Sequence, residues 1–101
     1  MIAIVWEFVV KAESIPAFQQ AYGAGGGWAA LFQRYPGYEG TTLLQDRATK
    51  TRFLTIDYWT DAELFDQMRQ ESQPEYARLD ARFSELTESE REVGVFNRAC
   101  D

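Results

Sequence analysis

The chain contains no histidine and only one cysteine. Without an imidazole, the common zinc sites, histidine-ligated haem, Ser-His-Asp triads and histidine acid–base chemistry are all excluded. Cys100 stands next to the last residue of the sequence, so no internal disulfide is possible. A catalytic thiolate needs a rigid site and an activating base, and Cys100 is read as incidental. Basic side chains are scarce too: 10 Lys and Arg face 16 Asp and Glu, for a formal charge of −6. That balance supplies no basic stripe for phosphates, so nucleic acid and anionic membrane surfaces are not expected partners. No apolar run approaches the roughly 20 residues of a transmembrane helix. The first residues, Met1 to Glu7, lack the positive region of a signal peptide, which points to a strand of a cytoplasmic protein.

What is present is apolar and ring-rich. The 101 residues suit a single domain, 1–101, and a chain of this size buries roughly 65% of its unfolded surface. Hydrophobic residues make up 46% and aromatics 15% of the sequence, which is more than a small core needs. Some rings are therefore expected in a pocket or a subunit interface.

Ile2 to Val10 reads as a strand, with Ile2, Ile4, Trp6, Phe8 and Val10 on one face and Ala3, Val5, Glu7 and Val9 on the other. Ser14, with Pro16 following, predicts a helix start, and Ile15, Phe18 and Tyr22 mark one helical face. Gly23 to Gly27, with Ala24 among the glycines, breaks that helix. Trp28, Leu31, Phe32 and Tyr35 then recur at helical spacing until Pro36-Gly37. The glycines follow a helix, and no Gly-Lys-Ser/Thr comes after them, so a helix break or flap is expected in preference to a phosphate loop. Tyr38 to Gln45 and Arg52 to Thr60 read as two strands joined by a polar hairpin loop. Thr60-Asp61-Ala62-Glu63 has the form of a capping box, and Trp59 with Leu64 that of a hydrophobic staple. Ser72-Gln73-Pro74-Glu75 predicts a further helix with Tyr76, Leu79, Phe83 and Leu86 as its stripe. Thr87 to Glu90 reads as a third box, and Glu92 to Asn97 as the last strand.

The order β-α-β-β-α-β, each helix interrupted once, implies an α+β, ferredoxin-like split βαβ fold. Its four-stranded antiparallel sheet would carry the helices on one face. The other face would leave Val5, Val9, Leu54, Ile56 and Tyr58 in water, where each exposed aliphatic forgoes about 1.5–3 kcal/mol. Pairing two sheets across a two-fold axis removes that penalty, so a homodimer through the sheet faces is expected.

Tyr22-Gly23, Trp28, Pro36-Gly37-Tyr38, Gly40-Thr41, Leu54 to Trp59, Tyr76 and Thr87-x-x-Glu90 together resemble the antibiotic biosynthesis monooxygenase family, a dimeric α/β-barrel superfamily. The resemblance runs over nearly the whole chain. It implies that any activity is a cofactor-free oxygenation of an aromatic polyketide-like or quinol-type molecule. It allows equally a non-catalytic, dimeric metabolite-binding or regulatory module. Trp59 matches the strand tryptophan of the quinone-forming members; Thr55 stands where they carry asparagine, and Phe65 where they carry tyrosine. The positions used by haem-degrading members hold Trp6, Met68 and Arg78, so the haem set is missing.

Cofactor-free oxygenation needs a substrate anion held in a dry site, with a base and a hydrogen-bond donor beside it. No flavin or metal motif stands in for that work. Alternation along the third strand sends Thr55, Asp57 and Trp59 to one side. The catalytic candidates are Trp59, Asp57 as a base raised by desolvation, and Tyr22 as a donor to a substrate oxygen. Trp6, Phe8, Trp28, Thr55, Phe65 and Met68 are the candidate walls around a small apolar or aromatic ligand, with no metal. Structural roles compete with these: Trp59 as a staple and core ring, Asp57 as a partner of Arg52 or a helix N-terminus, and Trp28 as core. Glu7 is a candidate for an intersubunit ion pair, and Arg78 for a solvated charge.

Overall fold

A computed structural model describes residues 1–100. Four strands, β1 (Ile2–Val10), β2 (Tyr38–Gln45), β3 (Arg52–Trp59) and β4 (Thr87–Asn97), form one antiparallel sheet in the order β2-β3-β1-β4. The helices are α1 (Ile15–Tyr22), α2 (Gly27–Phe32), α3 (Ala62–Glu71) and α4 (Glu75–Ser84). The chain therefore has the α+β, ferredoxin-like fold, each helical segment split in two. β1 and β3 are the central strands because their inward residues are the most apolar. Ile2, Ile4, Phe8, Val10, Phe53 and Trp59 are all buried.

Two clusters make the core. Ile2, Ile4, Leu31, Phe32, Trp59 and Met68 form one; Phe8, Val10, Phe18, Ala21, Tyr22 and Phe53 form the other. Trp6 and Trp28 pack against both, so the join between the clusters is built from flat rings with gaps at their edges.

The helix punctuation differs in detail from the sequence reading. The cap of α3 is Asp61, whose Oδ1 accepts from Leu64 N–H at 2.9 Å. Thr60 instead donates its hydroxyl to the Gly37 carbonyl. The ring against Trp59 is Phe65, at 5.7 Å between centroids, while Leu64 lies over Gly37. Ser14 and Ser72 make no side-chain cap, and α4 starts at Glu75 behind Pro74. The helix expected through Tyr35 ends at Phe32, and its last residues form tighter turns. Gly26 sits against the carbonyls of Gln20 and Ala21, 2.3 Å from where a Cβ would stand, so this break is a close backbone crossing.

The third box is also overturned. Thr87 to Glu90 belongs to β4, where Ser89, Glu90 and Arg91 pair with Val9, Phe8 and Glu7. Ladder hydrogen bonds to a central strand outweigh a local capping pattern. The outer face of the sheet carries Val5, Val9, Leu54, Ile56 and Tyr58, all partly exposed, with Leu44 and Phe96 more so. Glu7 on that face pairs within its own chain, with Arg52 and Arg91, and both bonds hold its carboxyl below the usual range.

Candidate active site

A cavity of about 160 Å³ lies between the sheet and the helices, at the join of the two core clusters. β1 contributes Trp6 and Phe8 to its wall, β3 Thr55 and Asp57, α1 Tyr22, and α2 Trp28 and Phe32. Tyr76 and Asp80, one helical turn apart on α4, complete it with Arg69 of α3 and Glu90 of β4. Phe8, Tyr22, Phe32 and Thr55 are buried, whereas Arg69, Asp80 and Glu90 are exposed. The cavity thus runs from an apolar floor to a charged rim.

Aromatic packing fixes the floor. Tyr22 stacks on Phe18 at 4.3 Å and tilts against Phe8 at 4.9 Å. Trp28 meets Tyr76 edge to face at 4.9 Å. Burial pushes the Tyr22 phenol far above its ordinary range, so it stays protonated and can only donate or accept a hydrogen bond. The Trp28 indole nitrogen is buried with no hydrogen-bond partner.

Asp57 is the polar centre. Its carboxyl is pushed up to about 6 by desolvation, against the opposing pull of a hydrogen bond from Thr41. Thr41 Oγ1 donates to Asp57 Oδ1 at 2.6 Å, from the residue directly across the β2–β3 ladder. Arg52 is not its partner: that guanidinium lies on the other face of β3, bound to Glu7 and Asp46. The Glu90 carboxyl, though exposed at the rim, is also raised, by partial desolvation and by the charge of Asp80.

Of the residues singled out from sequence, the cavity brings together Asp57, Tyr22, Trp6, Phe8, Trp28 and Thr55. Trp59, Phe65 and Met68 lie outside its wall. Trp59 is fully buried among Phe32, Tyr38 and Phe65, its indole N–H unpaired. Met68 is also fully buried, and accepts a contact from the Ser72 hydroxyl at 3.6 Å. Tyr76, Asp80, Arg69, Glu90 and Thr41 were missed. Tyr76 and Asp80 show an i, i+4 pairing on α4 that could have been read; only tertiary contacts bring Arg69 and Glu90 to the cavity and Thr41 to Asp57 from outside its wall. Among the described residues, no group of three or more Cys, Asp or Glu side chains is placed to hold a metal ion. No helix is long and apolar enough to cross a membrane.

The model of the antibiotic biosynthesis monooxygenase family matches residues 1–81. The chain belongs to that family. Among solved structures it is similar to SnoaB of Streptomyces nogalater, described as a cofactor-independent oxygenase. Identity is 25% and the TM-score 0.71, over 99% of this chain and 94% of that one. A Nitrosomonas europaea protein matches at 16% identity and TM-score 0.72, over 99% and 100% of the two chains. A Methanosarcina mazei protein matches at 15% and 0.71, over 96% and 91%. These last two share the fold alone. No curated protein sequence matches the chain. In this member of the monooxygenase family Trp59 lies behind the cavity wall.

Proposed function

We propose that the chain is a cofactor-independent monooxygenase acting on a phenolic, quinol-type or anthrone-like ring. The observation that carries this reading is Asp57, a carboxyl raised to about 6 in the wall of an aromatic cavity. A base of that strength is mostly ionised at neutral pH, and more basic than an ordinary carboxylate, so it can take a proton from a weakly acidic substrate. Membership of the family and the likeness to SnoaB support the same chemistry.

The steps follow from the side chains. A flat ring enters between Trp6, Phe8 and Trp28, and water leaves. Asp57 accepts the acidic proton, leaving a delocalised substrate anion. Tyr22 donates a hydrogen bond to the substrate oxygen that carries the charge. The anion passes electrons to oxygen and a carbon–oxygen bond forms. For an anthrone, the methylene becomes a carbonyl as the O–O bond breaks, and the second oxygen leaves with the remaining hydrogen as hydroxide, which meets the abstracted proton to make water. A volume near 160 Å³ fits one ring, as apolar cavities of about 150 Å³ hold benzene. Further rings project past Arg69, Asp80 and Glu90.

The protein is proposed to work as a homodimer joined through the outer sheet face, where Val5, Leu54 and Ile56 lack a cover from their own chain. A second reading is a dimeric binding module without turnover. Thr55 and Phe65 in place of asparagine and tyrosine favour it, as does the position of Trp59 outside the cavity. Oxygen uptake by metal-free protein with anthrone separates the two. Turnover lost in Asp57→Asn supports the oxygenase, and tryptophan quenching without product supports the binding module.

A further inference from the structure

The proposed base does not stand alone in its cavity wall. Thr41 Oγ1 lies 2.6 Å from Asp57 Oδ1, and the Tyr38 hydroxyl lies 2.5 Å from Thr41 Oγ1. A hydroxyl has one proton to give. Since Thr41 donates to the carboxylate, Tyr38 must donate to Thr41. Three oxygens therefore form one directed chain, Tyr38 to Thr41 to Asp57. It runs outward across the sheet, because Asp57 is on the inner strand β3 while Tyr38 and Thr41 are on the edge strand β2. Tyr38 is only partly buried. Its ring is held against Trp59 at 5.3 Å and Phe32 at 5.5 Å, so the outer end of the chain is fixed in place.

We infer that Tyr38 and Thr41 are a proton exit for Asp57, carrying the one proton it takes from each substrate out of the occupied cavity to the edge of the sheet. The inference rests on the reading of Asp57 as the base. While a ring fills the cavity it stands between Asp57 and the mouth, and the hydroxyl chain is the route left from the carboxyl to water. The balance closes in bulk water, where the exported proton meets the hydroxide that leaves with the product. The proton on Asp57 Oδ1 passes to Thr41 Oγ1, the Thr41 proton passes to the Tyr38 oxygen, and the Tyr38 proton leaves to water. Each hydroxyl ends neutral, and rotation of the two O–H bonds resets the chain. Burial keeps the Tyr38 phenol above its ordinary range, so it conducts as a neutral hydroxyl.

Other titratable and charged groups around the cavity are Tyr22 of α1, Arg69 of α3, Tyr76 and Asp80 of α4 and Glu90 of β4. Among the described residues, the one side-chain hydrogen bond to the Asp57 carboxylate comes from Thr41. Thr41 and Tyr38 are positioning residues here, since neither lines the cavity.

Two measurements test the exit. In the ligand-free protein, carbon-13 NMR of the Asp57 carboxyl follows its titration. Thr41→Val, which keeps the β-branched shape, raises the midpoint by about tenfold in proton affinity. Tyr38→Phe raises it less, and Thr41→Ser restores it. In oxygen uptake with anthrone, Thr41→Val and Tyr38→Phe lower kcat about tenfold with little change in KM, and alter the solvent isotope effect. Thr41→Ser recovers the rate. A midpoint unmoved by both variants overturns the chain, whatever the turnover. A midpoint that moves while kcat does not shows that the hydroxyls tune Asp57 but carry no proton, which overturns the exit. A moved midpoint with no wild-type oxygen uptake overturns the oxygenase reading, and the exit with it.

Discussion

Asp57 and Trp59 leave the same face of β3 two residues apart, yet Asp57 reaches the cavity while Trp59 closes the core behind it. One side chain is short and meets the gap between two aromatic clusters. The other is long enough to fill the space under α2 and α3 completely. Their different surroundings lead to opposite expectations for mutants at the two positions.

Replacing Asp57 with Asn should abolish proton abstraction and yet stabilise the fold. The folded-state pKa, about 6, lies above the 3.8 of an ordinary aspartate. Between these values the folded state holds the proton more tightly, so Asp57's contribution to stability falls as pH rises through that window. At pH 7 the buried charge is a liability of about 1–3 kcal/mol, which Asn removes. Urea unfolding at pH 4 and pH 7 checks this: the gain from Asp57→Asn should appear at pH 7 and shrink at pH 4. In wild type, kcat/KM should rise with pH through about 6 and then level off. A flat profile with full activity in Asp57→Asn removes Asp57 from the mechanism.

Trp59 should act through stability. Trp59→Ala opens a cavity in the core and costs about 3–5 kcal/mol. Trp59→Phe loses less, because it also removes a buried N–H with no partner, a group that costs about 1–3 kcal/mol. Well below its unfolding temperature, Trp59→Phe should keep kcat/KM within about threefold of wild type. A drop of two orders in a folded variant would place the indole on the substrate.

Gly37 and Gly40 both have positive φ, +100° and +131°. A Cβ on Gly37 would stand 2.7 Å from Leu64, while nothing lies within 4 Å of one on Gly40. Gly37→Ala should therefore cost about 2–3 kcal/mol, backbone strain plus displacement of Leu64. Gly40→Ala should cost only the backbone share, about 1 kcal/mol. Thermal unfolding of the two variants side by side measures the difference; equal losses would show that Leu64 yields freely.

Ile56 sits mid-strand on the outer face, between Val5 and Thr42. A lysine there should split the proposed dimer, leaving the circular dichroism of the monomer intact. Light scattering during gel filtration decides it. A wild-type mass of one chain removes the dimer from the proposal.

Much of this fold can be read without coordinates. Alternation in Ile2–Val10 and Arg52–Trp59, and helical spacing in Ile15–Tyr22 and Glu75–Ser84, are properties of neighbouring residues, so they survive in any one-dimensional reading. The family resemblance rests on the same local signatures. The errors fell where long-range pairing competes with local pattern. Thr87 to Glu90 spells a helix cap and forms a strand, because β1 offered ladder partners. Thr60 spells the cap of α3, but the Gly37 carbonyl took its hydroxyl and left the role to Asp61.

The candidate site divides along the same line. Strand alternation alone puts Thr55, Asp57 and Trp59 on one face. Which of them meets empty space depends on how α2, α3 and α4 settle on that face, a matter of side-chain volume across elements distant in sequence. Residue order likewise says nothing of Thr41, 16 positions from Asp57 and directly opposite it in the sheet. The chain's own pattern determines the strands, the helices, the apolar outer face and the charge balance, because each is local or compositional. Tertiary packing alone decides that Asp57 is desolvated, that Thr41 and Tyr38 stand beside it, and that Trp59 is sealed away.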